Sequence, residues 1–342
     1  MIKSVEKSLF EYYGFSKTDG ADYSVISGIL KDINIKSIVQ SLEEIQRINL
    51  PEALTEWLNK YEKVGERNDF ICKWTFQGMK KVTLDSVDDE YRHSVYVTKT
   101  KSIILNYLLD DLIDRRKQKE ILEAIINPEE IYKPKNEKDR ETIKLARDLW
   151  QDVQKDIKQY PKYSEFRELF FYDYEQFFNA LRYSFLLNNR PFINNLTENQ
   201  MYLSHNMQGI ISIDIDLMAS PKLNCDDLPT LREIAWFAQR LGRIGNSLTT
   251  WEREVEEDDF TSEIFALAVC ENVLDTSDFK DKEKVVRKIK ESELEKKLLK
   301  EWENNYRAMS ILGSNIKSFS LDSFMQGLRE LIRMHLISTG HK

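Results

Sequence analysis

Long amphipathic stretches constrain the fold of this 342-residue chain more than any other feature. Their apolar residues recur at helical spacing, and no alternating, strand-like run bounded by turns appears. Only 7 prolines and 11 glycines are available to interrupt them. No internal repeat of about 30–45 residues occurs, which argues against a helical solenoid. The stretches lie at residues 36–48, 94–126, 138–158, 163–189, 229–257 and 283–306. The sequence therefore predicts an all-α protein.

The chain has no low-complexity linker that would divide it. One domain over residues 1–342 is the simplest interpretation, with residues 1–70, the least informative segment, as an N-terminal helical cap. The net charge is −8, with 58 acidic against 50 basic residues, which disfavours a nucleic-acid partner. No apolar run approaches the roughly 20 residues that cross a membrane. Three cysteines at spacings unlike a zinc motif indicate a reduced, cytoplasmic protein.

The first motif that carries chemistry is Asp110-Asp111-Leu112-Ile113-Asp114. On a regular helix, Asp110 and Asp114 share one face and Asp111 lies beside them. Three carboxylates so close repel one another, which disfavours the helix unless a cation neutralises them. Mg²⁺ takes oxygen ligands and commonly binds one or two carboxylates together with substrate phosphates. The chain contains three further Asp-Asp pairs, and a solvated helix face is the alternative interpretation for a motif of this kind.

The second motif follows 136 residues later. Asn246, Thr250 and Glu254 are spaced i, i+4 and i+8, so they form one stripe over two helical turns. An amide oxygen, a hydroxyl and a carboxylate on one stripe make an oxygen chelate, and Arg253 is placed to reach phosphates bound there. The alternative is a helix start with Asn246 as its N-cap. The ordered pair of motifs in a helical chain favours a metal–diphosphate site.

Together the two motifs resemble the aspartate-rich motif and the Asn/Ser-or-Thr/Glu triad of class I terpene synthases, particularly the single-domain microbial type. The resemblance extends from about Trp74 to His335. It implies an all-α helical bundle around a central active-site cavity that binds three Mg²⁺ ions and a prenyl diphosphate. It also implies a cytoplasmic enzyme for which a homodimer is a common state.

The resemblance assigns roles to particular residues. Asp110 is implied as the main metal ligand of the first motif, with Asp111 and Asp114 in supporting roles. The metal-binding triad is implied to be Asn246, Thr250 and Glu254, and Arg253 is implied to contact the diphosphate.

Two family features match less closely. The family closes an Arg-Tyr pair over the diphosphate, and here Arg333 is followed by Met334. The family also has a helix break in which an Arg senses the diphosphate and a Gly carbonyl faces the substrate. Residues 204–209 resemble that break, with Gly209 as the glycine and His205 in place of the arginine. Either His205 contacts the diphosphate as an imidazolium, or this protein senses the diphosphate in a different way. A surface role for Arg333 and a structural role for His205 are the alternatives.

Aromatic residues are candidates for the wall of the substrate pocket. A carbocation requires a water-poor wall whose π faces stabilise positive charge without attacking it. Tyr107 precedes the aspartate motif by one helical turn. The other candidates are Trp74, Phe76, Phe178 and Trp236. Aromatic residues at helical spacing also commonly form the core, which is the alternative.

The predicted function is Mg²⁺-dependent ionisation of a linear prenyl diphosphate, farnesyl or geranylgeranyl diphosphate. The carbocation then cyclises to a sesquiterpene or diterpene hydrocarbon or alcohol, and diphosphate is released. A chain-elongating prenyl synthase shares the fold and metals, but it requires a second aspartate-rich motif where this chain has Asn246 and Glu254. A helical interaction protein without catalytic activity is the second alternative.

Overall fold

The computed structural model describes residues 8–16, 19, 23–127 and 132–341, and this part of the chain is helical without a β-strand. The helices are α1 (Leu9–Tyr12), α2 (Ser24–Asp32), α3 (Ile35–Gln46), α4 (Glu52–Tyr61), α5 (Asp69–Lys81), α6 (Asp89–Asp110), α7 (Lys119–Ile126), α8 (Glu137–Ile157), α9 (Tyr163–Asn189), α10 (Leu196–Glu198), α11 (Gly209–Met218), α12 (Leu228–Glu256), α13 (Glu263–Cys270), α14 (Lys282–Lys290), α15 (Leu294–Leu312) and α16 (Leu321–Ile337). The described residues are therefore all-α, as predicted.

The predicted 94–126 stretch is not one continuous helix. Helix α6 ends at Asp110, a π-helical turn follows at Asp111–Arg115, and α7 then covers the rest of the stretch. Lys117 has a positive φ of 54°, a left-handed conformation that a regular helix cannot contain. The stretch at 283–306 is likewise divided between α14 and α15. Apolar periodicity continues across both interruptions, and for that reason it did not reveal them.

Helices α6 and α12 are two long helices that each have several neighbours. Helix α6 contacts α4, α5, α8 and α11, and α12 contacts α11, α13, α15 and α16. Contacts between α5 and α16 close the remaining side. In α6, thirteen buried residues lie on several faces, as expected for a helix surrounded by neighbours rather than one lying on a surface.

The described helices before residue 70 pack on the rest of the chain. Helix α2 contacts α15, α3 contacts α5 and α16, and α4 contacts α6 and α8. The predicted 1–70 cap falls partly outside the described residues, because 1–7, 17–18 and 20–22 are among those not described. None of the helices in the described ranges is long and apolar enough to cross a bilayer.

The helix break predicted at residues 204–209 is present. A π-helical turn (Asn199–Leu203) and a 3₁₀ turn (Ser204–Met207) lead to Gln208, whose φ of 52° is left-handed. Helix α11 then starts at Gly209. A Cβ at Gly209 would lie 2.9 Å from the Cα of Gln239 on α12, so only glycine permits the two helices to approach this closely.

Candidate active site

A cavity of about 170 Å³ lies between α5, α6, α11, α12 and α16. Part of its lining is apolar, from residues that include Ile71, Trp74, Ile103, Ile213, Phe324 and Leu328. The charged residues of the lining lie mostly at the C-terminal ends of α6 and α12 and in the turns that follow them, with Arg67 before α5 and Arg243 within α12. These ends meet, because Arg115 after α6 donates to Glu257 after α12 at 2.8 Å. We call this region the charged end of the cavity.

The two sequence motifs face each other across the charged end. Asp110 and Asp114 line it from one wall, and the Asn246, Thr250 and Glu254 stripe lines it from α12. Both motifs therefore place carboxylates at helix C-termini, where the helix dipole is negative and disfavours anions. The negative potential of this arrangement favours the binding of cations.

Asp111 is not part of the cavity lining, although the sequence motif groups it with its neighbours. Its carboxylate is 0% exposed, and it accepts hydrogen bonds from the Tyr61 hydroxyl at 2.7 Å and the Glu66 amide at 3.1 Å. Arg67 Nε donates to its other oxygen at 3.2 Å. The π-helical turn explains the difference, because its wider turn changes which residues share a face.

Glu254 is a poorly compensated carboxylate of the charged end. It is 6% exposed, and its Oε1 lies 2.6 Å from the Thr250 hydroxyl, whereas Oε2 is buried without a hydrogen-bond partner. The same hydroxyl lies 2.8 Å from the Asn246 carbonyl oxygen and can donate to only one of the two. Burial, and then the nearby Asp259 carboxylate, raise the pKa of Glu254 to about 7. The environment therefore disfavours a bare negative charge.

Asp259 joins the charged end, although the sequence motifs did not include it. It lies in the turn after α12, is 6% exposed, and lines the cavity. Burial, followed by the charges of Asp259 and Asp110, raises the pKa of Asp114 well above its ordinary value. Asn188 ties the two sides together, since it donates to Asp114 at 3.0 Å and accepts from the Phe260 amide at 3.0 Å. The only sequence signal was the Asp258-Asp259 pair.

This set of oxygen donors fits a divalent cation. It combines carboxylates whose ionisation is suppressed with a buried Glu254 oxygen that has no partner. A hard cation takes oxygen ligands and compensates this charge. Within the described ranges, no three His, Cys, Asp or Glu side chains already converge on a point where they would hold a metal ion.

Four arginines line the cavity, of which only Arg253 was predicted. Its Nε is 3.5 Å from Glu257, the same carboxylate that binds Arg115. Arg243 is 4% exposed, donates to the Thr261 carbonyl at 2.6 Å, and has a buried Nε without a hydrogen-bond partner. The fourth arginine, Arg67, precedes α5. The charged end thus has positive groups suited to a polyanion.

His205 and Arg333 do not reach the cavity lining. Burial lowers the pKa of His205, which favours the neutral ring over the imidazolium, one of the alternatives that the sequence left open. Its ring centroid is 5.5 Å from that of Trp236. Arg333 is half-buried on α16, and its Nε is buried without a hydrogen-bond partner. Gly209, in contrast, does line the cavity.

The aromatic candidates divide between the cavity and the core. Trp74 and Tyr107 line the cavity, whereas Phe76, Phe178 and Trp236 do not. Phe178 belongs to a cluster of rings on α8 and α9, with Tyr174 at 5.8 Å and Phe177 at 5.6 Å between centroids. The ring of Phe76 is buried and lies 5.3 Å from the Lys80 ammonium group. Tyr107 donates to or accepts from the Thr75 hydroxyl at 2.5 Å.

Comparisons with known proteins address the fold. No family model matches the sequence, and no curated protein matches it significantly. Among solved structures, the linalool/nerolidol synthase of Streptomyces clavuligerus in complex with 2-fluorogeranyl diphosphate is similar, with a TM-score of 0.51 at 10% identity over 83% of this chain and 96% of that one. A second structure of that synthase gives a TM-score of 0.50 at 10% identity, over 83% of this chain and 94% of that one. The predicted fold is confirmed: the chain has the all-α fold of class I terpene synthases.

Proposed function

We propose that the protein is a class I terpene synthase that ionises a linear prenyl diphosphate in a Mg²⁺-dependent reaction. The observation that best supports this function is the position of the two motifs, on opposite walls of one cavity that also has an apolar, partly aromatic lining. The fold is consistent with it. Farnesyl or geranylgeranyl diphosphate is the proposed substrate, and residues 1–342 are proposed to form one domain.

The metal ligands in this proposal are Asp110, Asp114, Asn246, Thr250 and Glu254, and three ions are expected from the family resemblance. Bound Mg²⁺ supplies Lewis-acid stabilisation of the negative charge that develops on the departing diphosphate. Asp259 adds a further carboxylate to this set because it lines the same end of the cavity.

The arginines of the charged end bind the diphosphate in this mechanism. Arg243 and Arg253 lie on α12, and Arg115 lies on the opposite wall. Fixed guanidinium groups stabilise the leaving group more in the transition state than in the ground state, because charge accumulates as the C–O bond breaks. Glu257 must release Arg115 and Arg253 when the diphosphate arrives, so substrate binding is expected to rearrange the charged end.

The apolar lining holds the isoprenoid chain and excludes water from the carbocation. Trp74 and Tyr107 present π-systems, while aliphatic neighbours such as Ile103 offer no nucleophile. The shape of this wall selects which double bond attacks the cation. Loss of a proton, or capture of water, then gives a hydrocarbon or an alcohol.

Product formation tests the proposal directly. Purified protein would be incubated with Mg²⁺ and separately with geranyl, farnesyl and geranylgeranyl diphosphate, and pentane extracts would be analysed by gas chromatography–mass spectrometry. We expect a terpene from one substrate, and we expect its formation to fall by at least about 100-fold in Asp110→Ala and Glu254→Ala. The matched controls are Asp89→Ala on α6 and Glu256→Ala on α12, which are exposed acidic residues of the same helices.

Two other outcomes would replace this function. Longer prenyl diphosphates, formed only when isopentenyl diphosphate is added, would identify a chain-elongating synthase. An interaction protein would release no diphosphate, and Mg²⁺ with pyrophosphate would leave its melting temperature unchanged. A true site is stabilised by RT ln(1 + [L]/Kd) when both are present.

A further inference from the structure

Arg67 connects the N-terminal part of the chain to the aspartate motif. It lies in the loop between α4 and α5, residues 62–68, and its side chain lines the cavity. Its Nη2 forms an ion pair with Asp110, and its Nε donates to Asp111 at 3.2 Å. Its guanidinium also stacks 5.0 Å from the ring centroid of Tyr107. A protein cation thus occupies the surroundings of the first predicted metal ligand.

Asp111 holds this loop in place. One of its oxygens accepts from the Tyr61 hydroxyl at 2.7 Å and the Glu66 amide at 3.1 Å, and the other accepts from Arg67. These donors occupy three of the roughly four lone-pair sites of a carboxylate that is 0% exposed. A metal ion could reach Asp111 only after these bonds had broken.

The loop itself is tightly built. Gly65 lies against Tyr61, and a Cβ at Gly65 would fall 2.2 Å from the tyrosine ring. Arg116 donates to the Val64 carbonyl, and Arg115 donates to the Glu66 carbonyl at 3.1 Å. Arg115 is the last residue of the π-helical turn that begins at Asp111, and Arg116 follows it directly. The turn that carries the aspartate motif therefore also fixes the loop that carries Arg67.

We propose that Arg67 is a placeholder cation of the candidate metal site, displaced when a metal ion binds, and that Asp111 is the anchor that holds it there. Without metal, the Arg67 guanidinium stands beside Asp110 where a cation is needed and keeps that carboxylate oriented. Metal binding at Asp110 displaces Arg67, because two cations so close to one carboxylate repel each other. Loss of this ion pair loosens the 62–68 loop, which remains attached through Asp111. This inference rests on the proposed function, since it assumes that Asp110 binds metal.

Metal affinity without substrate tests the role of Arg67. Mn²⁺, which takes similar oxygen ligands, would be titrated into the substrate-free protein and the free ion followed by electron paramagnetic resonance. We expect Arg67→Ala to bind Mn²⁺ on the order of tenfold more tightly than wild type, because a charge-assisted competitor has been removed. The control is Arg47→Ala, which removes an exposed arginine and its Glu43 ion pair from the same part of the chain. Its affinity should equal that of wild type.

Hydrogen exchange of the wild-type protein gives a second measurement that does not depend on a variant folding. The Glu66 amide is protected by its bond to Asp111, and exchange in residues 62–68 should rise when Mn²⁺ is added. In Asp111→Asn the loop should exchange faster even without metal, and Mn²⁺ binding should not weaken.

Several outcomes would overturn the proposal. Equal or weaker Mn²⁺ binding by Arg67→Ala than by Arg47→Ala would remove the role of Arg67. Unchanged loop exchange on adding Mn²⁺ would show that the loop is not loosened. Weakened Mn²⁺ binding in Asp111→Asn with normal loop exchange would make Asp111 a ligand instead of an anchor. A failure of every protein to bind Mn²⁺ would overturn the proposed metal site itself.

Discussion

The two walls of the charged end contain similar carboxylates that the protein compensates in opposite ways. On the first wall, Asp110 and Asp111 receive an arginine, a tyrosine hydroxyl and a backbone amide. On the second wall, Glu254 receives one contact from Thr250 and keeps a buried oxygen without a hydrogen-bond partner. Asp110 and Asp111 are therefore stabilised without a bound cation, whereas Glu254, like Asp114 on the first wall, retains an unfavourable charge that a cation would relieve.

Removing the charge of the second wall is expected to have the largest effect on stability. The pKa of Glu254 rises from 4.5 to about 7 on folding, so the folded state binds more protons between these values and stability falls as pH rises through them. Glu254→Gln should therefore stabilise the metal-free protein above pH 7, by up to about 3 kcal/mol, with a smaller gain near pH 5. Urea unfolding in a chelator at both pH values measures this difference.

Glu295 provides the matched control for Glu254. Burial also raises its pKa to about 7, but it accepts from the Trp251 indole at 3.0 Å and does not line the cavity. Glu295→Gln should also stabilise the protein at high pH, yet retain the full stabilisation by Mg²⁺ and pyrophosphate that Glu254→Gln loses. A destabilised Glu254→Gln protein at pH 8 would contradict the contrast between the walls.

Removing the charge of Asp110 on the first wall should instead destabilise the protein. Asp110→Asn leaves the Arg67 guanidinium beside a neutral amide, so we expect the metal-free protein to lose about 1–2 kcal/mol of stability. Chemical unfolding at pH 8 measures the loss. Asp89→Asn on the same helix removes a carboxylate that also pairs with an arginine, Arg92, at 3.0 Å but is 94% exposed, so its effect should stay below about 0.5 kcal/mol. Equal effects of the two substitutions would show that the Arg67 pair contributes little.

The smallest effect is expected outside both walls. His205 is not part of the cavity lining and its neutral form is favoured, so His205→Ala should change the affinity for pyrophosphate with Mg²⁺ by less than about twofold. Thermal melting against pyrophosphate concentration measures this affinity, with Arg253→Ala as the variant expected to weaken it clearly. A comparable loss of pyrophosphate affinity in both variants would show that His205 belongs to the binding site.

Sequence reasoning predicted the helical fold and the positions of Asp110 and the α12 stripe, because helical spacing determines them. Asp114 lines the cavity as predicted, although it lies in the π-helical turn. The same reasoning placed Asp111 with its neighbours because it assumed a regular helix and could not foresee the π-helical turn. Arg67 and Asp259 were missed since both come from loops, and loop residues have no periodicity that would direct them to a site.

The aromatic candidates show a different limit. Trp74 and Tyr107 line the cavity, while Phe76 and Phe178 pack in the core. In a bundle whose helices are surrounded on several sides, an apolar face directed at the cavity and one directed at a neighbouring helix have the same composition. Only the packing of whole helices distinguishes them.

The π-helical turn at Asp111–Arg115 has a consequence for protein engineering. Each residue of a regular helix advances the chain by about 100°, so removing the extra residue of a wide turn would rotate everything after it by a similar angle. The five-letter aspartate motif copied onto an ordinary helix of a designed bundle would therefore present its carboxylates in another direction. A designer who wishes to transplant this half of the site needs to copy the π-helical turn together with the amino-acid sequence of the motif.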